Sequence, residues 1–323
     1  MFQNMPLWPP RASTMASNVD ALFVFLLVVS AMMSLLIFTM VIFFAVRYRR
    51  QPGRRAQQID GSHALEITWS VIPFCVFIVF FIWGALIYFK ERTPPADSTE
   101  VYTVAKQWIW KFEHMEGQRE INELHVPAGR NVKMIMTSQD AIHSFFVPAF
   151  RIKQDVLPGR YTVAWFQATK PGTYHLFCAE YCGTMHSGMV GDVVVMEPKD
   201  YQAWMGGGGS QPLALTGEKL FSELGCVTCH RTDTQGRGPN LVGVFGKPVL
   251  LEDGRKITAG ENYIRESILQ PAAKIVNGFK PIMPTFQGQI SDEQLNALVA
   301  YVKSLGQQPS GPAKDVAAAS PQP

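Results

Sequence analysis

Two stretches near the N-terminus, residues 21–46 and 67–89, contain no charged residue. Each exceeds the roughly 20 apolar residues needed to cross a bilayer, so both are expected to be transmembrane helices. A cleaved signal peptide is the competing reading of the first run. That run is too long, however, with little basic charge before it and no small-residue cleavage site after it. Between the runs lie Arg47, Arg49, Arg50, Arg54 and Arg55, and the positive-inside rule places this loop on the cytoplasmic side. The N-terminus and everything after Lys90 then face outward. After Pro94 and Pro95 the pattern shortens into strand-length segments rich in Val, Tyr, Phe and Trp, such as 132–136, 161–166 and 173–177. They are broken by Pro127, Gly129, Pro158, Gly159, Pro171 and Gly172, which predicts an all-β sandwich with Greek-key connections. A helical period returns near the C-terminus. Residues 216–224 form a short amphipathic segment that stops at Gly225. Ser291 and Gln294 make a capping box ahead of Leu295, Leu298, Val299, Val302 and Leu305, which share one helix face.

The four glycines at 206–209, followed by Ser210, Gln211 and Pro212, read as a flexible linker. The organisation expected is therefore residues 1–95 for the N-terminal segment and membrane hairpin, 96–200 for the sandwich, 201–212 for the linker and 213–308 for a helical domain. Residues 309–323, mostly Pro, Ala, Ser and Gln, read as a disordered tail. A length of 323 residues fits two or three domains. The net charge of +3 is small and gives no case for nucleic acid as a partner, which would call for a basic face or stripe.

Four of the five cysteines sit in two short motifs, while Cys75 lies alone in an apolar run and reads as a small buried side chain. Residues 178–189 read C-A-E-Y-C-G-T-M-H-S-G-M. Cys178, Cys182, His186 and Met189 are soft or borderline donors, the kind that select copper. Two cysteines so close could also form a disulfide or half of a zinc site, but a disulfide has no use for the imidazole and thioether and zinc rarely takes Met. A second imidazole must come from elsewhere in the fold, and His143 in D-A-I-H-S-F-F-V-P is the candidate. The second motif, C-V-T-C-H at residues 226–230, is the signature of covalent haem c attachment through Cys226 and Cys229, with His230 as iron ligand. His230 and Met283 are the only His and the only Met after the linker. A His/Met iron therefore implicates Met283, and Met ligation raises the reduction potential. His114, His125 and His175 stay unassigned.

The 178–189 loop, D-A-I-H-S-F, the Q-W-I-W of residues 107–110 and the Q-D-V-L-P-G-R of residues 154–160 together closely resemble subunit II of haem-copper cytochrome c oxidases, over about residues 15–200. The resemblance implies a cupredoxin-like sandwich whose loop holds binuclear CuA. Cys178 and Cys182 would bridge the coppers, with His143, His186, Met189 and the Glu180 carbonyl as further ligands. It implies magnesium at the subunit I interface through the Glu180 carboxylate, Trp108 as the point of electron intake, and Glu66, in L-E-I-T-W-S-V-I-P, as the mouth of a proton pathway. The fold expected is a two-helix transmembrane hairpin, a cupredoxin-like Greek-key sandwich and an all-α cytochrome c domain. The function implied is subunit II of a bacterial aa-type oxidase with a fused cytochrome c, a proton-translocating oxidoreductase of the cytoplasmic membrane with both redox domains periplasmic. Electrons would pass from haem c to CuA and on to subunit I, which reduces O2. Its partners would be subunit I, the other oxidase subunits, the lipid bilayer, and cytochrome c or another respiratory complex as donor. Acidic and basic residues nearly balance across residues 96–200, so no strong acidic field steers a basic soluble donor, and docking on Trp108 is expected mainly from the tethered domain. A nitric oxide reductase subunit bearing CuA would share this relay. Quinol oxidases lack the copper ligands, and a copper chaperone would leave His186, Met189, the second span and the haem motif unexplained.

Overall fold

The computed structural model describes residues 8–53, 55, 61–207, 212–231 and 236–306. The two uncharged runs lie in long helices, α1 (Ala16–Arg47) and α2 (His63–Arg92). They meet through small and aromatic side chains, with Phe25 packed 5.1 Å from Phe80 and 5.6 Å from Trp83 between ring centres. Along the rest of their length they turn apolar side chains outward, Phe38 being 64% and Phe81 72% exposed, a surface suited to lipid and costly in water. Of the basic loop between them, Arg54 lies outside the described residues.

The sandwich is built from ten strands. One sheet has the order β3-β2-β1-β5-β8 and the other β4-β10-β9-β6-β7. In chain order these are β1 (Thr99–Lys106), β2 (Ile109–His114), β3 (Arg119–Ile121), β4 (Glu123–Pro127), β5 (Asn131–Ser138), β6 (His143–Val147), β7 (Ile152–Val156), β8 (Thr162–Gln167), β9 (Gly172–Cys178) and β10 (Val190–Met196). β10 alternates buried and accessible positions, Val193 and Val195 facing inward, as a strand with one covered face must. Trp110, Phe112, Met134, Phe145, Phe166 and Leu176 fill the space between the sheets. β1 pairs in parallel with β5, and β4 with β10, while β1–β2 and β9–β10 are antiparallel, so each sheet mixes the two kinds of neighbour.

The sandwich is fastened to both membrane helices. Residues 12–14 run along its edge, with the Ala12 amide donating to the Ala149 carbonyl at 3.0 Å and the Thr14 amide to the Gln167 carbonyl at 3.1 Å. At the end of α2, the Trp165 indole donates to the Lys90 carbonyl at 3.0 Å.

The segment expected to be a linker from residue 201 is helical as far as Gly207, in α3 (Pro198–Gly207). Tyr201 and Trp204 anchor this helix by packing on His114 and His125, a tertiary gain that outweighs the poor helix propensity of the glycines. Residues 208–211 and the tail expected at 309–323 lie outside the described residues.

The C-terminal domain holds α4 (Leu213–Glu223), α5 (Glu261–Leu269) and α6 (Asp292–Ser304). It also holds a small hairpin, β11 (Pro248–Leu250) with β12 (Lys256–Thr258), which adds a little β-structure to a domain expected to be all helical. The capping box forms as expected, the Gln294 amide donating to Ser291 Oγ at 3.2 Å and the Ser291 amide to Gln294 Oε1 at 2.9 Å. α4 and α6 cross in close contact at Gly217, where a Cβ would lie 2.0 Å from the Ala297 carbonyl oxygen, so only glycine fits.

Candidate functional site

β9 ends on Cys178 and β10 begins just after Met189, so residues 178–189 form a loop between adjacent antiparallel strands. The Cys178 amide donates to the Met189 carbonyl at 3.1 Å and closes its neck. Within the loop, Gly183 has φ +120°, a conformation that favours glycine, and His186–Gly188 form one 3₁₀ turn that brings His186 back over Cys182. His143 opens β6, the strand next to β9, where Phe145 pairs with Cys178.

This placement gathers the expected ligands. Cys178 and Cys182 Sγ atoms are 3.8 Å apart, too far for a disulfide, and both thiols are free. His143 Nδ1 lies 3.9 Å from Cys178 Sγ, His186 Nδ1 lies 3.5 Å from Cys182 Sγ, and Met189 Sδ lies 3.8 Å from Cys182 Sγ. The Glu180 carbonyl oxygen is 3.2 Å from Cys178 Sγ, while its side chain is exposed. His143 and Met189 are wholly buried, and Cys182 is 2% exposed. Two thiolates that can bridge, two imidazole Nδ1 atoms, one thioether and one carbonyl form a soft, water-poor donor set that fits a pair of copper ions.

Asp140 accepts from His143 Nε2 at 2.8 Å, which leaves Nδ1 to face the thiols. Burial works to raise the Asp140 carboxyl, but hydrogen bonds from the Gln107 amide, His143 and the Ala141 amide outweigh it and hold the carboxyl below its usual range. The thiols separate in acidity. Burial pushes Cys182 up, and the neighbouring Cys178 adds to this. At Cys178 burial is overcome by hydrogen bonding with His143 and the local backbone, so Cys178 is the thiol that ionises first.

The paired tryptophans divide their roles. Trp110 is fully buried and lies edge-on to His143, 6.2 Å between ring centres. Trp108 is half-buried and lies against the loop, where a Cβ on Gly183 would come within 3.3 Å of its ring, and Gln107 Nε2 donates to the Cys182 carbonyl at 2.7 Å. Glu66 sits in the first turn of α2, half exposed, 3.5 Å from His63 Nδ1. His175 is exposed on β9, 3.0 Å from Asp192, and takes no part in the cluster of thiols.

In the C-terminal domain, Cys226, Cys229, His230 and Met283 line one cavity of about 830 Å³, walled by apolar side chains that include Ile264, Leu298 and Val302. Its size and lining suit a haem. His230 Nδ1 lies 2.9 Å from the Pro239 carbonyl oxygen, which fixes the tautomer and leaves Nε2 as the free donor atom. Gly238 is pressed against this ring, so that a Cβ there would lie 2.9 Å from His230 Cε1.

Two clusters have no counterpart in the sequence patterns. Asp20 in α1 is bound by Arg11, Arg151 and Trp8. Glu120 lies between His114, at 2.8 Å, and His125; Tyr201 Oη is 3.3 Å from the other His114 nitrogen, and Trp204 stacks on His125 at 4.7 Å. Burial works to raise Glu120, but hydrogen bonds from both histidines prevail and lower it. Arg151 and Tyr201, which complete the two clusters, lie 131 and 87 positions from their partners, so no local motif announced them.

Comparison with known proteins finds three family matches along the chain. Residues 3–87 match the family described as cytochrome C oxidase subunit II, transmembrane domain, residues 117–197 its periplasmic domain, and residues 214–306 cytochrome c. Cytochrome c oxidase subunit 2 of Alkalihalophilus pseudofirmus is 30% identical over 298 residues, covering 86% of this chain and 84% of that protein. The subunit 2 of Bacillus subtilis is 29% identical over 301 residues, covering 82% of each. The crystal structure of the periplasmic domain of subunit II of cytochrome oxidase from Bradyrhizobium japonicum is 28% identical, with a TM-score of 0.34, covering 35% of this chain and 94% of that one. A membrane hairpin, a cupredoxin-like sandwich with the CuA donor set and a haem-sized cavity in a cytochrome c domain thus follow one another on one chain, which belongs to the cytochrome c oxidase subunit II family and is an electron-transfer protein.

Proposed function

We propose that this chain is the electron-accepting subunit of a bacterial aa-type cytochrome c oxidase, seated in the cytoplasmic membrane with both redox domains on the periplasmic face. Its partner, subunit I, would reduce O2 to water and translocate protons. The observation that carries this reading is the convergence of His143, Cys178, Cys182, His186 and Met189 on one buried spot of a chain that also forms a haem-sized cavity. When bound, the coppers and the haem each take up and release single electrons. The chain has to hold its ligands still between redox states, and it does so with strand ends, the closed loop neck and the Asp140 contact.

In this reading Cys226 and Cys229 attach the haem covalently, His230 and Met283 ligate its iron, and the domain boundaries fall at residues 95, 200 and 212. Trp108, packed on the loop at Gly183, serves electron intake. Glu66, at the cytoplasmic end of α2, opens a proton pathway, and the exposed Glu180 carboxylate binds magnesium against the partner. The test is optical and EPR spectroscopy of the full chain, purified from membranes after copper loading and haem attachment. A mixed-valence two-copper hyperfine pattern together with one low-spin c-type haem is expected. A single-copper signal, or a spectrum indifferent to His186→Ala, would overturn the reading.

A further inference from the structure

The C-terminal domain does not hang from its linker; it sits on the outer face of the β1-β5-β8 sheet. Tyr102, Ile135 and Tyr161 of the sandwich share one buried cluster with Leu213, Ile264 and Leu295 of the cytochrome domain. Beside this cluster, four charged side chains close a ring. Glu100 and Lys133 are register partners on β1 and β5. Lys133 Nζ lies 3.1 Å from Glu100 and 3.2 Å from Glu261, and Lys303 Nζ lies 2.5 Å from Glu100 and 3.4 Å from Glu261. Charges alternate around the ring, two contributed by each domain, and every side chain in it is only 15–18% exposed. Asn262 reads the backbone of Tyr161 in both directions, its Oδ1 accepting from the amide at 2.6 Å and its Nδ2 donating to the carbonyl at 3.2 Å. Further along, Lys111 meets Glu293 at 2.9 Å.

These contacts fix a direction as well as a site. Lys111 stands opposite Val104 on β1, four residues from Glu100, or roughly 13 Å along the strand. Glu293 and Lys303 are ten residues apart on α6, or roughly 15 Å along the helix. The two spans match, so α6 lies along β1 with its N-terminus towards Trp108 and the copper loop. The opposite face of α6 carries Leu298 and Val302, which wall the haem cavity. Neighbouring helices and sheets pack about 10 Å apart, so a single helix separates that cavity from the sheet.

We infer that the cytochrome domain is a permanently seated donor, held in one orientation on the β1-β5-β8 face by the Glu100–Lys133–Glu261–Lys303 ring, rather than a tethered domain that collides with Trp108. Buried opposite charges in alternation reward one register and penalise others, the use for which buried ionic groups are best attested. This rests on the haem-domain reading above, but its test does not depend on either cofactor.

The experiment is carbodiimide coupling of the full-length, membrane-extracted protein, which joins only a lysine and a carboxylate already in contact, read by peptide mass spectrometry. Lys111–Glu293 is the reporter, since it lies outside the ring. The native chain should yield this cross-link. Reversing the sandwich pair alone, Glu100→Lys with Lys133→Glu, opposes like charges at both cross-domain contacts and should reduce the cross-link on the order of tenfold. Adding Glu261→Lys and Lys303→Glu restores the alternation and should restore the cross-link. A reporter cross-link absent from the native chain, or undiminished by the first reversal, overturns the inference. So does failure of the fourfold reversal to recover it when unchanged circular dichroism shows that the variant is folded. Missing copper or haem spectra with an intact native cross-link would instead count against the function proposed above and leave the seat standing.

Discussion

Asp20, in the first turns of a membrane helix, holds Arg151 of the sandwich by both ends of its carboxylate, at 2.8 Å to Nε and 3.1 Å to Nη2. Asp20 is 2% and the Arg151 side chain 11% exposed, so the pair is largely out of water. The Pro9 carbonyl takes another guanidinium proton at 2.9 Å. This clasp ties the sandwich to the first turns of α1, and it explains why Arg151 tolerates a left-handed φ of 58°.

Asp20→Ala strips the guanidinium of its buried counter-charge and should destabilise the chain by about 3–5 kcal/mol. Thermal unfolding in detergent, followed by far-UV circular dichroism, should show a clearly lower midpoint than that of Arg11→Ala, whose side chain is 57% exposed. Equal midpoints for the two variants would mean that the clasp is not structural.

Asp140→Asn keeps the shape of the residue that orients His143 but removes its charge. Copper affinity should fall roughly 10–100-fold, the usual cost of losing a partner of a metal-binding imidazole. Competition with a calibrated copper chelator measures this. Asp192→Asn, which changes the partner of the exposed His175, serves as the control and should leave affinity alone.

At the haem cavity, Met283→Ala should lower the reduction potential on the order of 100 mV, within the ~0.8 V range that axial ligands set. Redox titration of the haem band reads it directly. Gly238→Ala drives a methyl group to 2.9 Å from His230 Cε1 and should shift the haem towards high spin. An unchanged spectrum in both variants would remove His230 and Met283 from the iron.

The domain seat should be lost in acid and indifferent to mild base. Glu261 faces Lys133 from β5 and Lys303 from α6, with Glu100 beside it on β1. Burial raises the Glu261 carboxyl, but the two lysines and the helix backbone prevail and lower it; Lys111 and hydrogen bonds do the same for Glu293 against its burial. A carboxyl lowered on folding contributes stability that is complete above its unfolded value of about 4.3 and is lost as pH falls through the folded value. The Lys133 ammonium is raised, so its contribution persists up to its ordinary range and is lost only above it. Cross-linking of Lys111 to Glu293 after incubation across the pH range, quenched at one common pH, should therefore be flat from about pH 5 to 9 and fall below about pH 4.

What the sequence disclosed and what it hid differ by the distance over which each signal acts. The membrane spans could be read because a charge-free run is a local property. The proposed copper ligands Cys178, Cys182, His186 and Met189 fall within one loop, and Met283 is proposed by elimination. His143 needed only a neighbouring strand. By contrast, Asp20 and Arg151 are 131 positions apart, and Glu100 and Lys303 are 203 apart. Neither pair leaves any periodicity behind. The helix through residues 198–207 was concealed by its glycines, because the residues that stabilise it, His114 and His125, lie on other strands. The β11–β12 hairpin has three residues in each strand, too few to show alternation.

The position of α6 has a consequence for how the protein is made. Chains emerge N-terminus first, so the sandwich and its copper loop are complete while α6 is still to come. Until residues 292–304 arrive, Tyr102, Ile135 and Tyr161 lack the part of their cover that Leu295 and its neighbours on α6 supply, and the haem cavity lacks the wall formed by Leu298 and Val302. A single late helix closes both. The loop of residues 178–189 therefore belongs to a part of the chain that is made before the cavity can be walled, and a chain cut short before α6 would leave Tyr102, Ile135 and Tyr161 less covered than the full chain does.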